Sequence, residues 1–363
     1  MFPLVLVLVL LFMLFLTPGF VLIIALIVTL AFIVILALTP HPHPCPCSNV
    51  GAISSLTLPD DLHEEGTAMD AESPEAETFD AERAGALDLV VTWYSIASGL
   101  GKPTLPTSKC AHEATQLPQT VDQPEKVARS VVTHSAAYVA AAVQQLRALE
   151  HLVGPDLVLV GWTVTRTLVE HCSRVIWLLD PDATPTGRLA RWYMELITSA
   201  QMMRLSAKTM RDKASASEAK ALREKVLGDA RRTFPDIALF ENVKDLDEWS
   251  VGGEPNAGLG HAVRLLGNLI STHGLYDVLS GFTHPSIFRL QKQTVSVAHD
   301  GYDYKSYYAE PDVVRWQFAV SCTSIYLAAH TILDYLDLDT TPLEEWADRH
   351  PDLLSWTKMT AEP

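Results

Sequence analysis

The chain has 363 residues, 27 Lys+Arg against 43 Asp+Glu for a net charge of −16, and 48% apolar residues. That length holds two domains or one large helical one with a real core, and the acidic balance argues against a non-specific grip on nucleic acid, which comes mainly from Lys and Arg on phosphates. The five cysteines do not make the even, spaced framework of a disulfide-stapled secreted domain, and no Walker A loop, GxGxxG, HExxH or paired CxxC is present.

Residues 1–39 are almost wholly apolar, broken by Thr17-Pro18-Gly19. Phe20 to Leu38 is long enough to cross a bilayer core of about 30 Å, so the chain as written reads as membrane-anchored, with residues 69–363 cytoplasmic. No Lys or Arg precedes Arg83, however, and both secretory signals and oriented membrane helices carry positive flanks. Residues 40–77 read as a disordered linker. Its His41-Pro-His-Pro-Cys-Pro-Cys47 run has soft-metal ligand types, but an extended Pro-rich linker is the preferred meaning. Glu64-Glu65-Gly66 can be encoded by a ribosome-binding string just upstream of Met69. This leads us to expect translation from Met69, in which case residues 1–68 are not made and the protein is wholly cytoplasmic.

Residues 78–363 read as one helical domain. Apolar periodicity places helices over 78–100, Val127–Leu152, Leu157–Leu179, Thr186–Lys213, 215–233, 257–283, Asp312–Leu336 and 342–358. Asp122-Gln-Pro124 and Asp156 serve as start signals, and Gly154-Pro155 and Asp180-Pro181 as stops. The Leu157–Leu179 helix is nearly all apolar and is expected at the centre of the fold. Residues 234–256 read as irregular, with Gly252-Gly253 inside them. Val295 and Val297 before His299-Asp300-Gly301-Tyr302 signal a small β-hairpin. The expected fold is therefore all-α, a bundle of about seven or eight helices with one hairpin and an apolar N-terminal segment.

Three groups of residues could carry chemistry. The first is Arg166-Thr-Leu-Val-Glu170-His171. Its Arg-x4-His spacing resembles the signature of HEPN-type helical domains. The resemblance implies a metal-independent ribonuclease or defence effector in which Arg166 holds the scissile phosphate and His171 transfers protons. A guanidinium fork and an imidazole suit those tasks. On a regular helix, though, the two residues stand about 140° apart, so they converge only through distortion or a homodimer. Arg166, Glu170 and Arg174 are also spaced for an intrahelical ion-pair ladder.

The second group is Tyr276, Ser280 and His284, at i, i+4 and i+8, followed by Pro285. With the helix that ends Trp177-Leu-Leu-Asp-Pro181, this segment resembles a family of actinobacterial all-helical proteins over roughly residues 130–340. The resemblance implies the fold and brings no activity with it. If the shared motifs mark a pocket, Arg166, Glu170, His171, Tyr276, Ser280 and His284 line it; otherwise they pin helices together.

The third group is Tyr326, His330 and Asp334, where a His–Asp pair one turn apart can orient a ring or, with His284, chelate a metal. The paired Glu-x-x-His motifs of di-iron bundles are absent, and no cofactor or metal is expected. Cys172 and Cys322 read as core residues and Cys110 as a loop thiol. Arg188, Arg191, Arg204, Arg211 and the basic 220–232 stretch form a cationic region that could approach an acidic partner or a phosphate strand, with a solvated helix face the preferred meaning. The preferred reading is a non-catalytic binding or interaction module for a protein or small-molecule ligand. RNA is a partner only under the nuclease reading, and a membrane only if residues 1–39 are translated.

Overall fold

The computed structural model describes residues 74–152, 158–239, 248–284, 294–299, 302–307 and 311–355, with Gln291. They belong to one compact unit, Thr67–Pro363. The apolar segment 1–39, the His41–Cys47 run and the Met69 start lie outside the described residues. Among those described, no helix is long and apolar enough to cross a membrane.

Eleven helices occur among the described residues, more than the seven or eight expected, because the 257–283 and 342–358 readings each break into two and a short helix, Lys109–Ala114, forms in a stretch read as loop. In order they are α1 (Pro74–Gly99), α2 (Lys109–Ala114), α3 (Pro124–Leu152), α4 (Val158–Leu178), α5 (Pro185–Thr209), α6 (Lys213–Thr233), α7 (Gly258–Leu269), α8 (Leu275–Thr283), α9 (Pro311–Leu336), α10 (Thr341–Arg349) and α11 (Pro351–Ser355). The all-α expectation holds. Starts follow capping chemistry: Ser108, Thr184 and Asp212 each accept a backbone N–H from three residues on. The 257–283 reading fails as one helix because Ser271, at φ 55°, reverses the chain. The Thr272 N–H then closes onto the Gly267 carbonyl at 2.8 Å, a helix-ending turn.

As expected from its composition, α4 is the central rod, packed against α3, α7, α8 and α9. Leu168, Val169, Cys172, Val175 and Leu178 on it are fully buried. It runs parallel to α9. Near their starts Gly161 abuts Gln317, so closely that a Cβ at 161 would run into the Gln317 amide, and the Trp162 and Trp316 rings lie 5.8 Å apart. Near their ends, Arg188 bonds the Leu178 carbonyl while lying over the Tyr335 ring.

The end of α4 is the best-held part of the fold. Arg188 is 1% exposed. Its Nη1 donates to the Leu178 and Asp180 carbonyls (3.1 and 2.8 Å) and its Nη2 to Ala183 (3.2 Å). Nε and Nη2 also grip both carboxylate oxygens of buried Glu113 at 3.0 and 3.2 Å. Carbonyls left over at a helix end thus find a buried donor. Arg191 adds a bond to the Trp177 carbonyl (2.8 Å) and one to Asp180 Oδ2 (3.0 Å). The Trp177–Pro181 stretch is therefore a helix terminus clamped by two arginines of α5.

Two small antiparallel sheets accompany the helices. The hairpin expected around Asp300-Gly301 is present as β4 (Thr294–His299) and β5 (Tyr302–Tyr307), with His299 opposite Tyr302. The 234–256 stretch is not wholly irregular: β1 (Ile237–Ala238), β2 (Ser250–Val251) and β3 (Glu254–Pro255) form a three-stranded sheet in that order. Strands of two residues show no alternation to read. The usable signal was Gly252-Gly253, whose φ values of 58° and 83° make the two-residue turn between β2 and β3.

Candidate functional site

Arg166 and Glu170 on α4 meet the end of α8. Arg166 Nε donates to Glu170 Oε1 at 2.8 Å, and its Nη1 donates to Thr283 Oγ1 at 2.5 Å and to His284 Nε2 at 3.3 Å. Its guanidinium lies 5.5 Å from the centre of the Tyr276 ring. Four of the six candidate residues, Arg166, Glu170, Tyr276 and His284, thus come together. Ser280, half-buried, offers its carbonyl to the His284 N–H and the Thr283 hydroxyl, both at 3.1 Å. α8 ends at Thr283, and His284 caps it in extended backbone (φ −94°, ψ 145°), which turns the imidazole towards Arg166.

His171 leaves α4 in another direction. Its Nδ1 donates to the Thr167 carbonyl at 2.6 Å, and its ring stands 6.0 Å from that of Tyr138 on α3. Each member of the Arg166–His171 pair is therefore engaged by a different neighbour. The expected ladder forms only in its first half. Arg174 turns from Glu170 to Glu195 of α5, 2.9 Å away, and Tyr138 donates to the other oxygen of Glu195 at 2.8 Å. Burial and the Glu195 carboxylate together push the Tyr138 phenol well above its ordinary range.

On the other side of Tyr276 opens a cleft of about 900 Å³, within the usual span of small-molecule sites. Arg174 and Trp177 of α4 and Arg191, Thr198 and Met202 of α5 make one wall. The opposite wall is the run Glu254-Pro-Asn-Ala-Gly-Leu-Gly-His261, together with Arg264. Arg191 is committed to structure: its Nε bonds Glu254 Oε2 at 2.8 Å. Burial works against its charge, but the Glu254 and Asp180 hydrogen bonds prevail and raise its pKa. Glu254 is the acidic residue of the lining, and Arg191 neutralises it. Arg264 and His261 are exposed. The indole of Trp177 lies between Arg174 and Arg191, 5.7 and 5.6 Å from their guanidinium carbons.

Of this lining, the sequence marked Tyr276 as a pocket residue, Arg174 only as a rung of the ion-pair ladder and Arg191 only as part of a solvated face, and the 254–264 run was passed over. The arginines lie far apart in the chain, and only folding brings them to one cleft. The local signal that existed was Gly258-Leu-Gly260 at a helix start.

The remaining candidates are structural in their surroundings. His330 Nδ1 lies 2.9 Å from Asp334 Oδ2, with the Tyr326 ring 5.9 Å from the imidazole. Among the described residues, no group of three or more His, Cys, Asp or Glu stands close enough to hold a metal. Cys172 and Cys322 are fully buried, as expected of core residues. Cys110 corrects its loop reading: it sits on α2, 1% exposed, and burial pushes its thiol up to about 11. The solvated-face reading fails for Arg188 and Arg191, which pair inside the fold. Comparison with protein-family models, with curated proteins and with solved structures gives no match for this chain.

Proposed function

We propose that the chain is a non-catalytic binding module that holds a small molecule in the cleft between α4, α5 and the start of α7. The observation that carries this reading is the cleft itself: about 900 Å³, with aromatic, apolar and cationic side chains on facing walls. Tyr276 belongs both to that cleft and to the Arg166 cluster, so the tie between α4 and α8 serves as a brace for one wall. The bonds of Arg166 to Glu170 and Thr283 and of His171 to Thr167 support a structural use of both residues. A shared phosphate would require both side chains to leave these partners.

A small-molecule library screened by thermal shift on the purified full chain tests the reading. Ligands that raise the melting temperature should lose their effect in Leu259→Trp, which fills the cleft from an exposed position. His171→Ala should lower the melting temperature and change no RNA-cleaving activity. RNA cleavage by the native chain that disappears in the folded His171→Ala variant would overturn the proposal in favour of the nuclease.

A further inference from the structure

We infer that the ligand of this cleft is a phosphate monoester of about nucleotide size, with its phosphate seated at the start of α7. The inference rests on the binding reading above and names the ligand class for that site. Three independent features meet there. The first is the helix start: α7 spans 12 residues, and its N-cap, Ala257, supplies no side-chain hydrogen bond. The N-cap side chain therefore offers the first-turn amides no acceptor of the kind that Ser, Thr or Asp provides elsewhere in this fold, and the positive end of the helix dipole lies at the cleft. Gly258, at φ 54°, holds a backbone shape that side chains oppose, and both it and Gly260 line the cleft.

The second feature is charge. Three arginines and His261 line the cleft; Glu254 and Asp180 hold Arg191 and Glu195 holds Arg174, which leaves Arg264 and His261 as its exposed basic side chains. A chain of net charge −16 gains nothing in solubility by gathering cations in one concavity, and such a concavity concentrates anions. Arg264 stands nearly two turns into α7, exposed and without an ion pair among the described residues.

The third feature is unmet hydrogen bonding on the opposite wall. Thr198 Oγ1 is shut off from solvent and has no partner. Arg174, on the same wall, is held by Glu195 Oε1 at 2.9 Å. An orphaned donor such as the Thr198 hydroxyl is rare in folded proteins and marks a place where an acceptor belongs. Phosphate oxygens match the donors of the helix start, Arg264 and Thr198. Met202 and Leu259, partly exposed on the same lining, suit the less polar body of such a ligand.

The test uses the purified full chain with adenosine 5′-monophosphate and inorganic pyrophosphate as probes and adenosine as the uncharged control, by thermal shift and calorimetry. The phosphate-bearing probes should bind and raise the melting temperature, and adenosine should do neither. Arg264→Ala should weaken binding at least tenfold. Gly260→Asp should abolish it while leaving the free protein as stable or more so, because an added Cβ there meets ordinary contacts (3.7 Å to Tyr276) and an acid suits a helix start. Arg211→Ala, outside the cleft, should change nothing.

Phosphate binding that survives Gly260→Asp and Arg264→Ala overturns the inference, since the anion then sits elsewhere. Uncharged compounds that bind and are blocked by Leu259→Trp, with no phosphate response, overturn the ligand class and leave the cleft as a binding site. Absence of any cleft-dependent ligand overturns the binding reading itself.

Discussion

Arg188 and Glu113, 75 residues apart in the chain, form a two-pronged ion pair inside the protein, with Tyr335 donating to the same carboxylate at 2.6 Å. Three helices meet at that point, and the carbonyls at the end of α4 use the rest of the guanidinium. Removing one partner of a buried pair strands the other's charge, which costs about 3–5 kcal/mol. Arg188→Ala should lower stability by that order in urea denaturation. Arg188→Lys, which keeps the charge and loses the planar fork, should recover only part of it.

The seam between α4 and α9 contains the opposite situation. Trp162 Nε1, Thr165 Oγ1, Gln317 Nε2 and Ser321 Oγ are buried without hydrogen-bond partners. Thr165 and Ser321 each lie one turn beyond the Gly161–Gln317 contact, on helices that run parallel. An unsatisfied buried hydroxyl costs about 1–3 kcal/mol, so Thr165→Val, which keeps the shape, should raise stability by about 1 kcal/mol. A lower urea midpoint for that variant would show that the hydroxyl is bonded in solution.

His134 predicts an acid sensitivity. Trp192 Nε1 donates to its Nδ1 at 2.7 Å, and the two rings stack 5.8 Å apart. Burial holds its pKa below the ordinary 6.5. The unfolded chain therefore takes up the proton first as pH falls. The stabilisation is complete above about pH 6.5 and is lost as pH drops from there through the lowered folded value. Melting temperatures of the native chain and His134→Gln should diverge with pH across that window. Parallel curves would contradict the assignment.

Gly252 should tolerate no side chain. Its φ is 58°, and a Cβ would strike the Phe234 ring. Left-handed backbone alone costs about 1–2 kcal/mol for other residues. Gly252→Ala should loosen the β2–β3 turn and release Glu254 from Arg191. Faster hydrogen exchange of the Asn256 amide, which bonds the Trp249 carbonyl at 2.7 Å, reports that local opening.

How much was legible from residues alone depended on the range of the interaction. Apolar composition placed α4 at the core, because a helix broken by few charged side chains beyond Arg166, Glu170, His171 and Arg174 has little polar surface to turn to water. The Asp300-Gly301 pair announced a hairpin because turn geometry is local. The break at Ser271 was hidden, since serine at positive φ carries no composition signal, and Cys110 looked exposed because its cover comes from other helices. The Arg166–Glu170 bond was readable as an i, i+4 pair, whereas Arg174 was drawn to Glu195 by a packing that no spacing within α4 foretells.

Helix content, the central rod and the hairpin turn were thus determined by the sequence itself, because each depends on neighbours within a few residues. Tertiary structure alone decided that Arg188 is buried and that Arg166 and His171 serve different neighbours. It also alone brought Arg174, Thr198 and the Gly258–Arg264 run to face one another across a cleft. The physical reason is that charge and hydrogen-bond partners are chosen by proximity in space, and proximity between distant segments arises only once their apolar faces have packed.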